Sequence, residues 1–379
     1  MFKKNLNQKK TRPILSYTVH VRYCTEKAEK DTIFTEYNVM WRAVSPIDTK
    51  IRAEKMRTEG WEPWDSLKGI SRNFGIAKID AHRMIICGGK NSPTCDADAI
   101  VSEIKNEDSS KCGCVLWDCE RKSWSPLADI PREMPYCRAV FLKGHIYVLN
   151  NLQEFFRLET LDMSNGWERR KDSKEVGSGF SLVACDRYIY ITGGYLSPQN
   201  ASRYDPVIDE WKDLPNMPIG RHNHEAVFLG GKLYVIGGRS ILSKTALNSL
   251  QIFHNNSWTD GPNLPLGLMG HSAAVSFDSI IVTGGKPTKK LSPVATTYVL
   301  NISSLRWTAI GYNLPKPVCD HASVTTDFKI YLVGGYHDNI QGCDNVTIYS
   351  CDLARFHKDS TVYFNEPDSQ RKRSLCFFC

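Results

Sequence analysis

Six times along this chain a short apolar strand runs into a pair of turn residues, and a repeat of this kind constrains the architecture more than any local propensity does. Five of the pairs are Gly88-Gly89, Gly193-Gly194, Gly237-Gly238, Gly284-Gly285 and Gly334-Gly335. The sixth copy, His145 to Asn151, carries Asn150-Asn151 in the glycine place. Asparagine tolerates a left-handed backbone better than most non-glycine residues, so this copy is expected to turn in the same way. The intervals between pairs are 62, 43, 44, 47 and 50 residues. Four of these fit the ~40–50 residue period of propeller blades.

A tryptophan follows each of the first five pairs, at Trp124, Trp167, Trp211, Trp258 and Trp307. Tyr204 precedes Trp211 by seven residues across Asp205-Pro206-Val207-Ile208-Asp209-Glu210, a strand-turn-strand pattern. No tryptophan follows the sixth pair, but Trp64 stands ahead of the first repeat. The segment around Trp64 is therefore expected to supply the outer strand of the last blade, which closes the ring without an exposed edge.

Double glycine, Tyr-to-Trp spacing and this period together resemble the kelch repeat over about Trp61 to Asp352. Copies such as Leu214-Pro215-Asn216-Met217-Pro218-Ile219-Gly220-Arg221 are most similar to those of animal kelch-like proteins. Departures are Asn150-Asn151, the missing tyrosine before Trp167, and Trp117 in the tyrosine place of the first unit. The fold expected is all-β, a six-bladed kelch β-propeller closed by an N-terminal strand, with a small N-terminal hairpin. The domain reading is residues 1–55 as a basic arm and hairpin, 56–355 as the propeller and 356–379 as a basic C-terminal tail.

The formal charge of +7 raises the question of a nucleic-acid partner. Residues 1–30 hold eight Lys or Arg against Glu26 and Glu29, so the excess sits on the arm and the body is close to neutral. No nucleic-acid partner is expected. No apolar run approaches the ~18 residues of a membrane span, and the basic N-terminus lacks the apolar core of a secretory signal. The expected location is the cytoplasm, where thirteen cysteines read as thiols rather than a disulfide framework. The hairpin is read from the period-two alternation of residues 14–24 and the apolar run 33–41. Cys376, fourth from the end behind Arg371-Lys372-Arg373, has the outline of a prenylation box, but its aromatic neighbours favour a plain tail and no membrane partner.

Counting back thirteen residues from each pair gives Gly75, Cys137, Phe180, His224, His271 and His321. Three aligned histidines could converge on a metal, yet no carboxylate or cysteine recurs beside them, and a structural role is the stronger reading. Phosphate-cradling glycine loops, nucleophile elbows and paired Cys-x2-Cys motifs are absent from the sequence. No catalytic residue, metal or cofactor is expected. The competing class is a propeller enzyme acting on a sugar, of mutarotase or oxidase type. Clustered carboxylates with an arginine in the channel would favour it, and only Glu225 lies near the inner strands.

The kelch resemblance implies that the residue after each glycine pair and the residues just before each inner strand line one mouth, where a peptide docks. The first set here is Lys90, Tyr195, Arg239, Lys286 and Tyr336, with Leu152 in the degenerate blade. The second set includes Asn73, Tyr136, Ser178, His222, Asn223 and Asp320. Three cations among aromatics suit an acidic peptide motif, because arginine grips carboxylates bidentately and tyrosine offers large contact at low entropy cost. An insertion between Gly89 and Trp117, with five acidic residues, is expected to rise from the same mouth. The expected function is a non-catalytic protein-interaction scaffold. The resemblance further implies substrate recognition for a Cullin-3 ubiquitin ligase or a cytoskeletal, actin-binding role. The oligomeric state and the partner's identity stay open.

Overall fold

The structure, a computed structural model, describes residues 61–68, 74–88, 112–132, 134, 136–288, 292–310, 313–326, 328–337, 345–353 and 356. They lie within one compact unit, Gly60–Lys358. The N-terminal hairpin, the insertion after Gly88 and the Cys376 tail fall outside the described residues, as do Asn73 and Lys90.

Strand β1 is Glu62–Lys68. Blade one follows with β2 (Gly75–Lys78), β3 (Arg83–Cys87), β4 (Cys112–Asp118) and β5 (Ser123–Ile130). Blade two has β6 (Arg138–Leu142), β7 (His145–Leu149), β8 (Phe155–Glu159) and β9 (Glu168–Arg170); blade three has β10 (Ser181–Ala184), β11 (Ile189–Thr192), β12 (Ala201–Asp205) and β13 (Glu210–Asp213). Blade four has β14 (Glu225–Leu229), β15 (Lys232–Ile236), β16 (Leu250–His254) and β17 (Ser257–Asp260); blade five has β18 (Ser272–Ser276), β19 (Ser279–Thr283), β20 (Thr297–Asn301) and β21 (Arg306–Ile310). Blade six has β22 (Ala322–Thr325), β23 (Lys329–Val333) and β24 (Asn345–Asp352), and β1 completes it as the outer strand, antiparallel to β24. The chain is therefore an all-β, six-bladed propeller. Its first strands β2, β6, β10, β14, β18 and β22 neighbour one another in turn, the last returning to the first, and enclose a central channel.

The second strand of each blade is apolar at nearly every position because both of its faces are covered. Met84, Ile85, Ile86 and Cys87 of β3 are all fully buried. Alternate residues serve opposite seams: Ile146 and Val148 pack on blade one, whereas Tyr147 and Leu149 pack on blade three. The core is thus divided into six apolar clusters, one per seam, rather than gathered in one centre.

The tryptophan markers hold the circumference. Trp167, Trp258 and Trp307 each donate from Nε1 to a backbone carbonyl of the preceding blade, at Ala128 (2.8 Å), Pro215 (2.7 Å) and Pro262 (2.7 Å). Trp117 fills the tyrosine place of blade one and stacks on Trp124, ring centres 5.4 Å apart.

The asparagine pair behaves otherwise than expected. Neither Asn150 nor Asn151 has a positive φ; Gln153 takes the left-handed conformation instead, at φ 73°. The buried Asn150 side chain accounts for this: its Oδ1 accepts from the backbone N–H of Leu152 (3.0 Å) and Glu154 (2.9 Å), and its Nδ2 donates to the Glu154 carboxylate (2.9 Å). A side-chain-braced turn replaces the glycine turn.

Candidate functional site

The two sets of mouth residues, seventeen positions apart in sequence, meet as hydrogen-bonded pairs in blades three to six. In blade four His222 and Arg239 exchange backbone bonds of 3.1 and 2.7 Å; in blade five Met269 and Lys286 do so at 3.0 and 2.8 Å; in blade six Cys319 and Tyr336 do so at 3.1 and 2.7 Å. In blade three the Tyr195 N–H donates to Ser178 O at 2.8 Å. In blades three to six the residue after the glycine pair is thus held beside the approach to its own inner strand.

Inside this ring lies a rim built from left-handed residues. Tyr136, Gly179, Asn223, Gly270 and Asp320 occupy equivalent places in blades two to six, all with φ between 51° and 70°. In blades four to six the backbone N–H reaches the carbonyl of the blade before it: Asn223 to Gly179 at 2.7 Å, Gly270 to Asn223 at 2.9 Å and Asp320 to Gly270 at 2.7 Å. For non-glycine residues this conformation costs energy, and here the interblade bonds offset it. The rim turns Asn223 and Asp320 inward, where they line the channel.

Around the outer ring two cations, Arg239 and Lys286, stand on neighbouring blades between the aromatic Tyr195 and Tyr336. Tyr195 meets His222 edge-on with ring centres 5.4 Å apart, and Lys286 Nζ stands 4.8 Å from the Tyr336 ring centre. The Arg239 Nε donates to Lys244 O at 3.3 Å. Leu196 and Leu242 add exposed apolar surface on the loops of blades three and four, Leu242 at 97% exposure. Beneath them Arg221 is fully buried and structural: its guanidinium serves Gly237 O at 2.8 Å, Ser249 O at 3.1 Å and Gln251 Oε1 at 2.9 Å, and desolvation lowers its pKa to about 10.

The three aligned histidines are wedges between blades. His224 Nε2 bonds Thr192 Oγ1 of the previous blade at 2.9 Å, and His321 Nε2 bonds Thr283 Oγ1 at 2.8 Å. Their rings fill the space that a side chain at Gly193 or Gly284 would need, and their Cβ atoms fill that of Gly238 or Gly335. This is one reason the repeat keeps its double glycine. Burial drives all three to the neutral form, lowering His271 to about 4 and His321 to about 3, with His224 also well below the usual imidazole range. Among the described residues no group of three His, Cys, Asp or Glu is placed to hold a metal ion.

Below the rim the channel holds a cavity of about 290 Å³. On its wall Arg138 of β6 faces Glu225 of β14, 3.7 Å apart. Burial raises Glu225 to about 7 although Arg138 opposes the rise, and the 19% of its side chain left open to the channel moderates the desolvation. Arg138 was not singled out by sequence reasoning. Its signal was positional: it occupies the same place in blade two as Glu225 does in blade four, so period-two alternation turns both toward the axis.

A family model for the KLHDC2/KLHL20/DRC7 Kelch-repeats domain matches residues 179–378. Kelch-like protein 15 of Danio rerio is 34% identical over 77 residues, 20% of this chain and 13% of its own length. Kelch-like protein 6 of Homo sapiens is 35% identical over 79 residues, 20% of this chain and 12% of its own. Kelch repeat and BTB domain-containing protein 1 of Cowpox virus (strain GRI-90 / Grishak) is 28% identical over 152 residues, 37% of this chain and 27% of its own. The matched stretches thus span between 12% and 27% of these relatives. With six kelch-type blades and a family match over more than half its length, the chain belongs to the kelch-repeat family.

Proposed function

We propose that this kelch propeller is a non-catalytic binding module that takes an acidic segment of a protein partner across its mouth. The observation that carries the reading is the pairing of the two mouth sets: it sets Arg239 and Lys286 on neighbouring blades, flanked by Tyr195 and Tyr336. Kelch-repeat membership supports a binding role. A cation between aromatic faces offers both a charge-assisted contact and a low-entropy surface. On this reading Tyr136, Ser178, His222, Asn223 and Asp320 set the rim and fix register, with Asp320 excluding a carboxylate from the channel itself. Asn73 and Lys90 belong to the same proposal through their positions in the repeat. Substrate recognition for a Cullin-3 ligase, or a cytoskeletal attachment, in the cytoplasm is the cellular form proposed for it.

The test is titration of a fluorescent Glu/Asp-rich peptide against the native chain and an Arg239→Glu/Lys286→Glu variant. Affinity should fall at least tenfold in the variant with an unchanged melting temperature. Equal affinity removes the mouth from consideration.

A sugar-directed enzyme is the second reading, favoured by the Arg138–Glu225 pair in the channel. Titration of sugar acids would separate the two, since Arg138→Ala should abolish such binding and leave the peptide's untouched.

A further inference from the structure

Three cysteines from two blades converge at the seam between blades one and two. Cys87 ends β3 and stands directly opposite Cys114 of β4. Backbone bonds from Cys119 N to His82 O (2.9 Å) and from Gly88 N to Gly113 O (3.4 Å) mark hydrogen-bonded pairs at every second position of this ladder. The pair 87/114 therefore falls on a non-hydrogen-bonded site, where Cα atoms lie about 4.5 Å apart and side chains approach most closely. That separation falls within the roughly 4.4–6.8 Å that disulfides span. Cys137, at the start of blade two, arrives from the other side, its Sγ donating to Cys87 O at 3.2 Å. The Cys87 Sγ itself donates to Gly75 O at 3.7 Å. All three are buried and reduced.

The repeat itself does not require sulfur here. The place of Cys87 is held by Leu149, Thr192, Ile236, Thr283 and Val333 in the other blades, and that of Cys137 by Gly75, Phe180, His224, His271 and His321. Where histidine meets a threonine hydroxyl at two other seams, the Cys137 thiol meets the Cys87 residue at this one.

We propose that Cys87, Cys114 and Cys137 form a thiol–disulfide site in which a peroxide oxidises Cys87 and Cys114 to a cross-strand disulfide, with Cys137 as the exchanging third thiol. The neighbouring Cys114 and Cys137 thiols, together with burial, push the Cys87 thiol up, and the neighbouring Cys87 thiol draws Cys137 down, which makes Cys137 the attacking sulfur. Its thiolate attacks one oxygen of hydrogen peroxide. The O–O bond breaks, Cys137 becomes a sulfenic acid, and the departing hydroxide takes the Cys87 proton to form water. The Cys87 thiolate displaces hydroxide from the Cys137 sulfur, forming the first S–S bond, and that hydroxide takes the Cys114 proton as the second water. The Cys114 thiolate then attacks Cys87 and releases Cys137 as thiolate. Two thiols have lost two electrons and two protons, peroxide has become two waters, and Cys137 is regained. The bond ties β3 to β4 at the mouth end of blade one, and Cys137 directly follows the rim residue Tyr136.

The experiment treats the full chain with hydrogen peroxide, alkylates it under denaturing conditions and maps its peptides by mass spectrometry with and without dithiothreitol. A dithiothreitol-sensitive Cys87–Cys114 peptide is expected, and Cys114→Ser should trap a Cys87–Cys137 peptide instead. Cys137→Ala should slow formation of the Cys87–Cys114 bond about tenfold or more, because a buried thiol of raised pKa is left to react alone. Full alkylation of Cys87 in the oxidised native chain, or bonds confined to other cysteines, overturns the site. An unchanged rate in Cys137→Ala overturns the exchange step. The native-chain map needs no variant, so a substitution that fails to fold leaves the test intact.

Discussion

The Trp211 indole Nε1 donates to the backbone carbonyl of Lys171, 2.9 Å away on the preceding blade. The same ring packs on Tyr204 of its own blade, 5.1 Å between centres, and on Phe155 of the previous one, at 5.3 Å. One residue thus ends a blade, closes a seam and meets a carbonyl that no strand partner uses. Trp211→Phe should keep most of the ring contact and lose the hydrogen bond, costing about 1–2 kcal/mol. Urea denaturation would show this as a lower midpoint with an unchanged slope, and an unshifted midpoint would deny the bond a role.

Closure depends on Trp64. Its indole lies about 4 Å from both Lys122 Nζ and Lys329 Nζ, meets Tyr331 edge-on at 6.0 Å and donates to Cys119 O at 3.3 Å. Blade one and blade six are therefore held together through a residue that precedes both in sequence. Removing residues 56–68 should destabilise the whole ring, and Trp64→Ala alone should cost about 3 kcal/mol. Unaltered thermal unfolding of the deletion would contradict closure by β1.

Acid should destabilise the propeller through its wedges. His224, His271 and His321 are neutral when folded, whereas the unfolded chain takes up protons near pH 6.5. Their contribution is complete above pH 6.5 and is lost as pH falls toward about 4 for His271 and about 3 for His321, at roughly 1.4 kcal/mol per pH unit for each proton. Glu225 acts oppositely: its folded pKa is raised to about 7, so its term favours folding below pH 4.5 and fades as pH rises toward 7. Three groups against one leave a net loss on acidification. The melting temperature should fall between pH 7 and pH 5, and a flat profile would show that the imidazoles are not held neutral.

His271 lacks the threonine that its two siblings have. Ile236 stands where Thr192 and Thr283 serve His224 and His321, and the buried His271 ring nitrogens have only the backbone of Leu268 and Ile236 beside them, with no side-chain hydroxyl. Ile236→Thr supplies the missing hydroxyl but removes two buried apolar carbons, a methylene and the methyl that the hydroxyl replaces. The apolar loss of about 1.6 kcal/mol is offset by a hydrogen bond of about 1 kcal/mol, so stability should fall by less than about 1 kcal/mol. Ile236→Val removes the same bulk without adding the hydroxyl and should be less stable than Ile236→Thr, which paired melting curves would show directly.

At the mouth, Tyr336→Ala should weaken acidic-peptide binding about tenfold by removing the surface that holds Lys286 in place. Binding should also weaken with added salt, since these are exposed charges. A salt-independent affinity unaffected by the tyrosine would assign the contact to another face.

Much of this protein is written locally in its chain. An apolar run ending in a glycine pair, followed at a regular interval by a tryptophan, specifies strand, turn and strand whatever surrounds it, because strand burial on both faces and left-handed turns are demands of the backbone itself. Six copies determined six blades, and Trp64 ahead of the first glycine pair indicated where the ring would close. What the chain could not state locally were relationships between blades. Arg138 and Glu225 are 87 positions apart and skip a whole blade, so no spacing rule joins them; only the curvature of the closed ring brings them within 3.7 Å. The rim of left-handed residues, the histidine wedged beneath its neighbour's glycine and the three converging thiols arise in the same way. Each is a contact across a seam, and a seam exists only once separate repeats have packed side by side.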